Sequence, residues 1–414
     1  MAITVAAPTV FIQTTSCDPK KADHSERNCR SRSGAHGPLC DDSGGDVAVV
    51  VLFMWEATAN ACIMLPVTAR NAKEQLRVTL RDVARLAGVH PGTASRALNE
   101  QTRSLVNAET AQRVLAAADE LGYHPNPIAR GLKTNRSYTV GVLIPDIENP
   151  LFPPIIRGIE DRLDQAGYTP VIANTENDAE RERIDFRAMR ARQVDGFITA
   201  TARLDHELLD EVAGVGVPLV LVNRRVEDES LPSATADDRA GVRMAVDLLA
   251  DLGHEHIAFL GGPTELSTGL QRKEGFIAGM QDRGLKPDPA LVATGERFTL
   301  DEGQRLCHEA IESGRQFTAI VAGNDLMALG CYDALAEHGL ACPGDVSVVG
   351  YNDMPFSDHF NPPMTTIRIP HYEIGRSAAD LLLRLLEQGP DGSTQLVLEP
   401  TLVVRGSTAA LDKK

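Results

Sequence analysis

Two hydrophobic periods divide the chain. Between residues 78 and 121 apolar positions recur every three or four residues, and from residue 138 short runs of Val, Ile and Leu alternate with amphipathic stretches. In the first region Thr79 stands as a cap before Leu80, Val83, Ala84 and Ala87, and Gly88 supplies a left-handed stop. Pro91 suits the first position of a second helix, where its missing N–H is no loss, and Ala94, Ala97 and Leu98 form that helix's apolar side. A third helix starts at the cap Asn107, runs through Val114, Leu115, Ala118 and Leu121, and stops at Gly122. Three short helices with a tight glycine turn between the first two predict a helix-turn-helix.

Beyond residue 138, "TVGVLIP", "TPVIANT", "DGFITA", "VPLVLVN", "IAFLGG", "FTAIVAG" and "DVSVVGY" are predicted strands. Helical stretches such as 153–166 and 177–192 separate them. Nearly continuous apolar strands alternating with helices predict parallel sheets covered on both faces. So many units exceed one ordinary open sheet, which predicts two doubly wound lobes with a cleft between them. Ligands of such folds sit outside the carboxyl ends of the strands.

Residues 1–70 fit neither period. They are rich in Ser, Gly and Asp, hold four of the seven cysteines and the single Trp55, and are read as a disordered or spurious extension, with Met64 standing just before the first ordered pattern. The run "VAVVVLFMW" at 47–55 is too short to span a membrane and too far along the chain for a signal peptide, so a soluble, unexported protein is expected. An odd number of cysteines with no Cys-x-x-Cys pair points to reduced thiols. Cys17, Cys29 and Cys40, with His24 and His36 nearby, match no zinc spacing, and neither metal nor cofactor is expected.

Charge is distributed unevenly. The chain carries a formal net charge of -16, yet residues 71–137 hold ten Lys and Arg against six Asp and Glu. A small basic module on a large acidic body suits phosphate binding, because Lys and Arg displace the counterions condensed on DNA. A merely solvated basic face is the alternative, and the turn geometry favours DNA. For an enzyme the signals are poor. "FLGGPTELSTG" is neither a dinucleotide fingerprint nor a P-loop, His254 and His256 point to opposite sides of a strand start, and no Gly-x-Ser-x-Gly elbow occurs, so no catalytic site is expected. A solute-binding protein would share the two-lobed core but not the headpiece.

The segments "TLRDVARLAGVHPGTASRALN", "GYHPNPIARGLKTNRSYTVGVLIPD", "GLQRKEGF", "AIVAGNDLMALG" and "DVSVVGYND" occur in an order and spacing that resembles the lactose-repressor (LacI/GalR) family of transcription regulators. The resemblance covers about residues 78–406. It implies an all-α helix-turn-helix headpiece (78–125), a hinge helix and linker (126–137), and a two-lobed α/β core like periplasmic binding proteins (138–410). The first lobe is expected at about 138–235 plus 366–391, the second at about 236–365 plus 392–406, the chain crossing between them three times.

On that resemblance the second helix enters the major groove with Thr93, Ser95 and Arg96, and the predicted caps Thr79 and Asn107 are placed at the DNA with them. Pro91 and Gly92 depart from the family, whose members often carry long polar side chains there; direct readout then leans on Thr93, Arg96 and the hinge. Leu132 matches the leucine wedge that enters the minor groove. The implied effector site comprises Phe152, Asn223, Arg272, Phe298, Asn324 and Asn352, all suited to a polyhydroxyl ligand, a sugar or sugar derivative. Position 352 is Asn where many relatives have Asp, and the neighbouring Asp325 and Asp353 serve either the ligand or the lobe itself. The expected whole is a repressor, homodimeric because no leucine heptads follow "LVVRGS", acting on a pseudo-palindromic double-stranded operator in the cytoplasm at the nucleoid, without membrane contact.

Overall fold

The computed structural model describes residues 78–123, 136–214, 216–227, 229–389 and 394–411, within two compact units that divide between Pro125 and Asn126.

The first unit holds helices α1 (Leu80–Leu86), α2 (Pro91–Leu98), α3 (Glu100–Arg103) and α4 (Ala108–Leu121). Its core is built from Val83, Ala84, Ala87, Ala94, Ala97, Ala111, Val114, Ala117 and Ala118. Alanines at the contacts let short helices approach closely. The turn between α1 and α2 follows from Gly88 at φ +65° and the Val89 N–H donating to Ala84 O at 2.9 Å. Gly122, at φ +62°, ends α4 as predicted. The four-residue α3 was not anticipated, since one turn has no readable period. It stops α2: the Thr102 hydroxyl and Arg103 Nε donate to the carbonyls of Arg96 and Ala97, each at 3.0 Å.

The second unit contains two six-stranded sheets. Sheet one runs β2 (Thr169–Asn174), β1 (Thr139–Ile144), β3 (Gly196–Thr199), β4 (Leu219–Val222), β5 (Ser233–Ala236), β11 (Gln395–Leu398), all parallel. Sheet two runs β7 (Val292–Thr294), β6 (Ile257–Gly261), β8 (Ala319–Ala322), β9 (Ser347–Asn352), β10 (Thr365–Arg368), β12 (Thr401–Val403), with β12 antiparallel. The two orders are the same, so the core is a structural duplication. Helices α5 (Phe152–Gln165) and α12 (His371–Gln388) pack together in lobe one, and α6 (Ala179–Ala191) and α7 (Glu207–Gly214) complete it. Lobe two is covered by the pair α8 (Asp238–Asp251) and α9 (Ser267–Asp282) and the pair α10 (Leu300–Glu312) and α11 (Asp325–Glu337).

The lobe boundaries differ from the expectation in two places. Residues 366–368 belong to lobe two, because β10 pairs with β9. Residues 395–398 belong to lobe one, because β11 pairs with β5, and only β12 returns to lobe two. The chain therefore crosses near 237, 370 and 400, three times as expected. Strands β5, β7 and β10 were also missed. "SATA" is buried throughout yet lacks the Val and Ile that mark a strand. The proposed extension 1–70 lies outside the described residues, as do the hinge from 126 to 135 and Leu132.

The entry into lobe one is pinned. The main-chain N–H groups of Ser137 and Tyr138 both donate to the Asp195 carboxylate, each at 2.8 Å, and Arg136 Nη2 donates to Leu386 O at 2.6 Å.

Candidate functional site

On α2, Ala94 and Ala97 are buried while Ser95 and Arg96 are exposed and Thr93 is half-buried. The helix thus turns its predicted reading residues away from the headpiece core. The Arg96 guanidinium has no partner among the described residues. The two caps are occupied. Thr79 donates to Asp82 Oδ2 from both its main-chain N–H (3.0 Å) and its hydroxyl (2.6 Å), which holds the Asp82 carboxyl below its usual range. Asn107 Oδ1 accepts from the Glu109 N–H at 2.9 Å. Their first role is to start helices.

In the second unit the six predicted effector residues all lie beyond carboxyl ends of strands: Phe152 after β1, Asn223 after β4, Arg272 after β6, Phe298 after β7, Asn324 after β8, and Asn352 closing β9. Four of them meet in lobe two, around Arg272. This side chain is only 3 % exposed. Its Nε donates to Asp238 Oδ1 at 2.7 Å, its Nη1 to Gly323 O at 2.7 Å, and its Nη2 reaches Asn352 Oδ1 at 3.5 Å. Its guanidinium stacks on the Tyr351 ring at 3.8 Å from the centroid and lies 5.5 Å from that of Phe298. Burial pushes the Asp238 carboxyl up, against the pull of Arg272. One guanidinium edge is thereby fixed in advance.

Asn324 is engaged differently: its Oδ1 caps α11 by accepting from the Met327 N–H at 2.9 Å, and its Nδ2 donates to Phe298 O at 3.3 Å. Phe152 is 1 % exposed and packed in the apolar core. Asn223 and Asn352 hold positive φ angles of +65° and +111°, a conformation that Asn tolerates better than bulkier residues.

The lobes touch beside this cluster. The Arg225 N–H donates to Ser267 Oγ at 3.0 Å, and the Leu204 N–H to Glu265 O at 2.9 Å. The two aspartates resolve toward the lobe. Asp325 accepts from the Met354 N–H (2.7 Å) and the Thr366 hydroxyl (2.5 Å), and burial pushes its carboxyl up to about 7. Asp353 pairs with Arg405 Nη2 at 2.7 Å and Arg368 Nε at 2.6 Å.

Asp238, Tyr351, Arg224 and His371 were not anticipated. His371 opens α12 at the second crossing; its Nε2 is buried without a partner, and burial pulls its pKa down to about 4. The pair Asp237-Asp238 before an apolar helical run was a readable signal: Asp237 caps α8, which frees Asp238 for Arg272.

Comparison with known proteins adds the decisive observation. Residues 79–126 match the model of bacterial regulatory proteins of the lacI family, and residues 246–408 match that of the periplasmic binding protein-like domain. The chain is 35 % identical to the HTH-type transcriptional regulator RegA of Clostridium saccharobutylicum over 80 % of its own length and 100 % of that protein. The chain belongs to the LacI family. It is also 33 % identical to the repressor CytR of Escherichia coli, over 82 % of this chain and 98 % of CytR. Among solved structures, a lac repressor dimer bound to operator and the anti-inducer ONPF superposes with a TM-score of 0.71 at 31 % identity, covering 80 % of this chain and 99 % of that one. A complex of the regulator CelR with cellobiose gives 0.62 at 32 %, covering 80 % and 100 %. As a LacI-family protein the chain is a DNA-binding transcriptional regulator and not an enzyme. No helix among the described residues is long and apolar enough to cross a membrane.

Proposed function

We propose that this LacI-family protein is a homodimeric repressor, acting on the nucleoid in the cytoplasm, whose grip on a pseudo-palindromic operator is set by a carbohydrate in the cleft. The observation that carries the effector half is the pre-fixed Arg272, held by Asp238 and flanked by Tyr351, Phe298 and Asn352. Rigid donors beside aromatic faces suit sugar hydroxyls and C–H surfaces. CelR is seen with cellobiose, and a ribose operon repressor of Bacillus subtilis is 32 % identical to this chain. Thr93, Ser95 and Arg96 read the major groove, Thr79 and Asn107 flank it, residues 126–137 form the hinge, and Leu132 is its wedge. Phe152 and Asn223 supply the lobe-one side of the cleft.

A ligand shifts the protein only by binding one conformation more tightly. A cleft walled by both lobes allows that, and the clasp of Asp195 on Ser137 and Tyr138 carries lobe-one motion to the hinge. The test is fluorescence anisotropy of the full chain on DNA from upstream of its own gene, titrated with neutral and acidic sugars. Salt-sensitive specific binding, shifted by one sugar, is expected. Binding no tighter than to random DNA would refute the repressor reading, and indifference to every sugar the effector reading.

A further inference from the structure

Lobe one carries a second buried arginine in surroundings unlike those of Arg272. Arg224 follows Asn223 directly after β4 and is 7 % exposed. Its Nε is buried without a hydrogen-bond partner, and no ion pair reaches its guanidinium among the described residues. Burying a cation that nothing neutralises is costly, so such a residue makes sense where its partner is a molecule that comes and goes.

The neighbouring charges indicate the kind of molecule. Burial first, and then the Arg203 and Arg272 guanidiniums, pull the Arg224 pKa down to about 10. Glu182 lies close, but its carboxylate is already engaged: the Thr201 hydroxyl donates to Oε1, and His206 Nε2 stands 3.2 Å from Oε2. Glu265 is the other nearby carboxylate; it is exposed, and no ion pair joins it to Arg224. Arg272 is matched by Asp238. The exposed Arg203 side chain donates through Nη2 to the main-chain oxygen of Asn177 at 3.1 Å, and among the described residues no ion pair reaches it. Two arginines of one lobe thus repel one another, and among the described residues neither is bound to a carboxylate.

We propose that Arg224, with Arg203 beside it, binds an acidic group on the effector, so that the cleft takes a sugar acid or sugar phosphate in preference to a neutral sugar. This rests on the reading of the cleft as a carbohydrate site. The contact of Arg225 with Ser267 holds the loop of Arg224 against the start of α9, the helix that bears Arg272, so the two guanidiniums address one ligand from opposite lobes. Carboxylate and phosphate share the oxygen array that a guanidinium fork matches. An anion between the lobes favours the closed state specifically, which is what effector control requires.

The experiment is calorimetry with the full chain and three sets of probes: glucose and ribose, then gluconate and glucuronate, then glucose 6-phosphate and ribose 5-phosphate. One acidic set should bind about 100-fold more tightly than its neutral parents, and which set does so names the acid. Arg224→Gln should lose about 10- to 100-fold of that affinity while leaving the neutral sugars unchanged, and Arg224→Lys should keep part of it. If the Gln variant does not fold, the Lys variant carries the comparison. Neutral sugars binding as tightly as acids, or acid affinity unaltered by loss of Arg224, would overturn the acidic-group assignment and leave the carbohydrate reading standing. If no probe of any set binds, both are overturned.

Discussion

Arg272 does two things that a single substitution confuses. On the proposed reading it is a ligand group, and by contact it is one half of a buried ion pair. Arg272→Ala strands the Asp238 carboxylate and is expected to destabilise the core by about 3–5 kcal/mol, visible in urea unfolding. The double variant Arg272→Met, Asp238→Leu removes both charges and should recover most of that loss. It should nevertheless be deaf to the effector. A double variant as unstable as Arg272→Ala would show that Asp238 is not the partner that matters. His371 makes a prediction about acid. Its folded pKa of about 4 lies below the unfolded value near 6.5, so the unfolded chain binds more protons between them and stability falls as pH drops through that window. Asp325, raised to about 7, pulls the opposite way over much of the range, which hides the effect in the wild type. The difference between His371→Leu and wild type isolates it. Relative to wild type the variant should gain up to about 1.4 kcal/mol per pH unit as pH falls from about 6.5 to 4. Parallel stability curves for the two proteins would refute the assignment.

Helix pairs in the two lobes meet through reciprocal glycines. A Cβ on Gly158 of α5 would stand 2.1 Å from Tyr372 O of α12, and one on Gly375 of α12 would stand 1.9 Å from Ile155 O of α5. In lobe two a Cβ on Gly303 would lie 2.2 Å from Met327 O, and one on Gly330 2.1 Å from Leu300 O. The atoms in the way are backbone, so whole helices must move. Gly375→Ala should therefore cost about 1–3 kcal/mol, despite Ala's better helix propensity. Scanning calorimetry should show a melting temperature several degrees lower, and an unchanged or higher value would mean that the helices part freely. Elements of this kind were unequally legible in the sequence. Gly88, Pro91 and the alanines on α1 and α2 encode the headpiece locally, in spacing that one chain displays by itself. The apolar runs of β1, β4, β6 and β9 did the same for the sheets. By contrast, β11 could not be assigned to its lobe, because a pairing partner some 160 residues away, β5, leaves no local period. Arg272 was recognisable as a motif residue, but its 34-residue tie to Asp238 was not. Asn324, standing before an apolar helical run, could have been read as a cap by the ordinary rule.

At the scale of the whole molecule, charge separates the two jobs. Residues 71–137 are net basic and residues 138–414 strongly acidic, so the acidic body repels DNA everywhere but at the headpiece. Operator affinity should fall steeply with salt, log K dropping by about 0.9 per phosphate neutralised for each decade of salt. Arg96→Ala tells a phosphate contact from a base contact. The first lowers that slope by about one on any DNA, whereas the second costs about 1–3 kcal/mol on the operator alone. A variant indistinguishable from wild type on both kinds of DNA would remove Arg96 from the interface. The late crossing of the chain has a consequence for how the protein is made. The headpiece is complete once residue 123 has left the ribosome, whereas sheet one lacks its edge until β11 and sheet two until β12. At about 5–20 residues per second, roughly 15–55 s of synthesis separate the two events. During that interval a nascent chain carries a finished DNA-binding head on a core that can neither close on an effector nor offer a finished surface to a second copy. The order of synthesis thus delivers the head before its regulator, and a stop codon between residues 124 and 394 yields a head without a regulator.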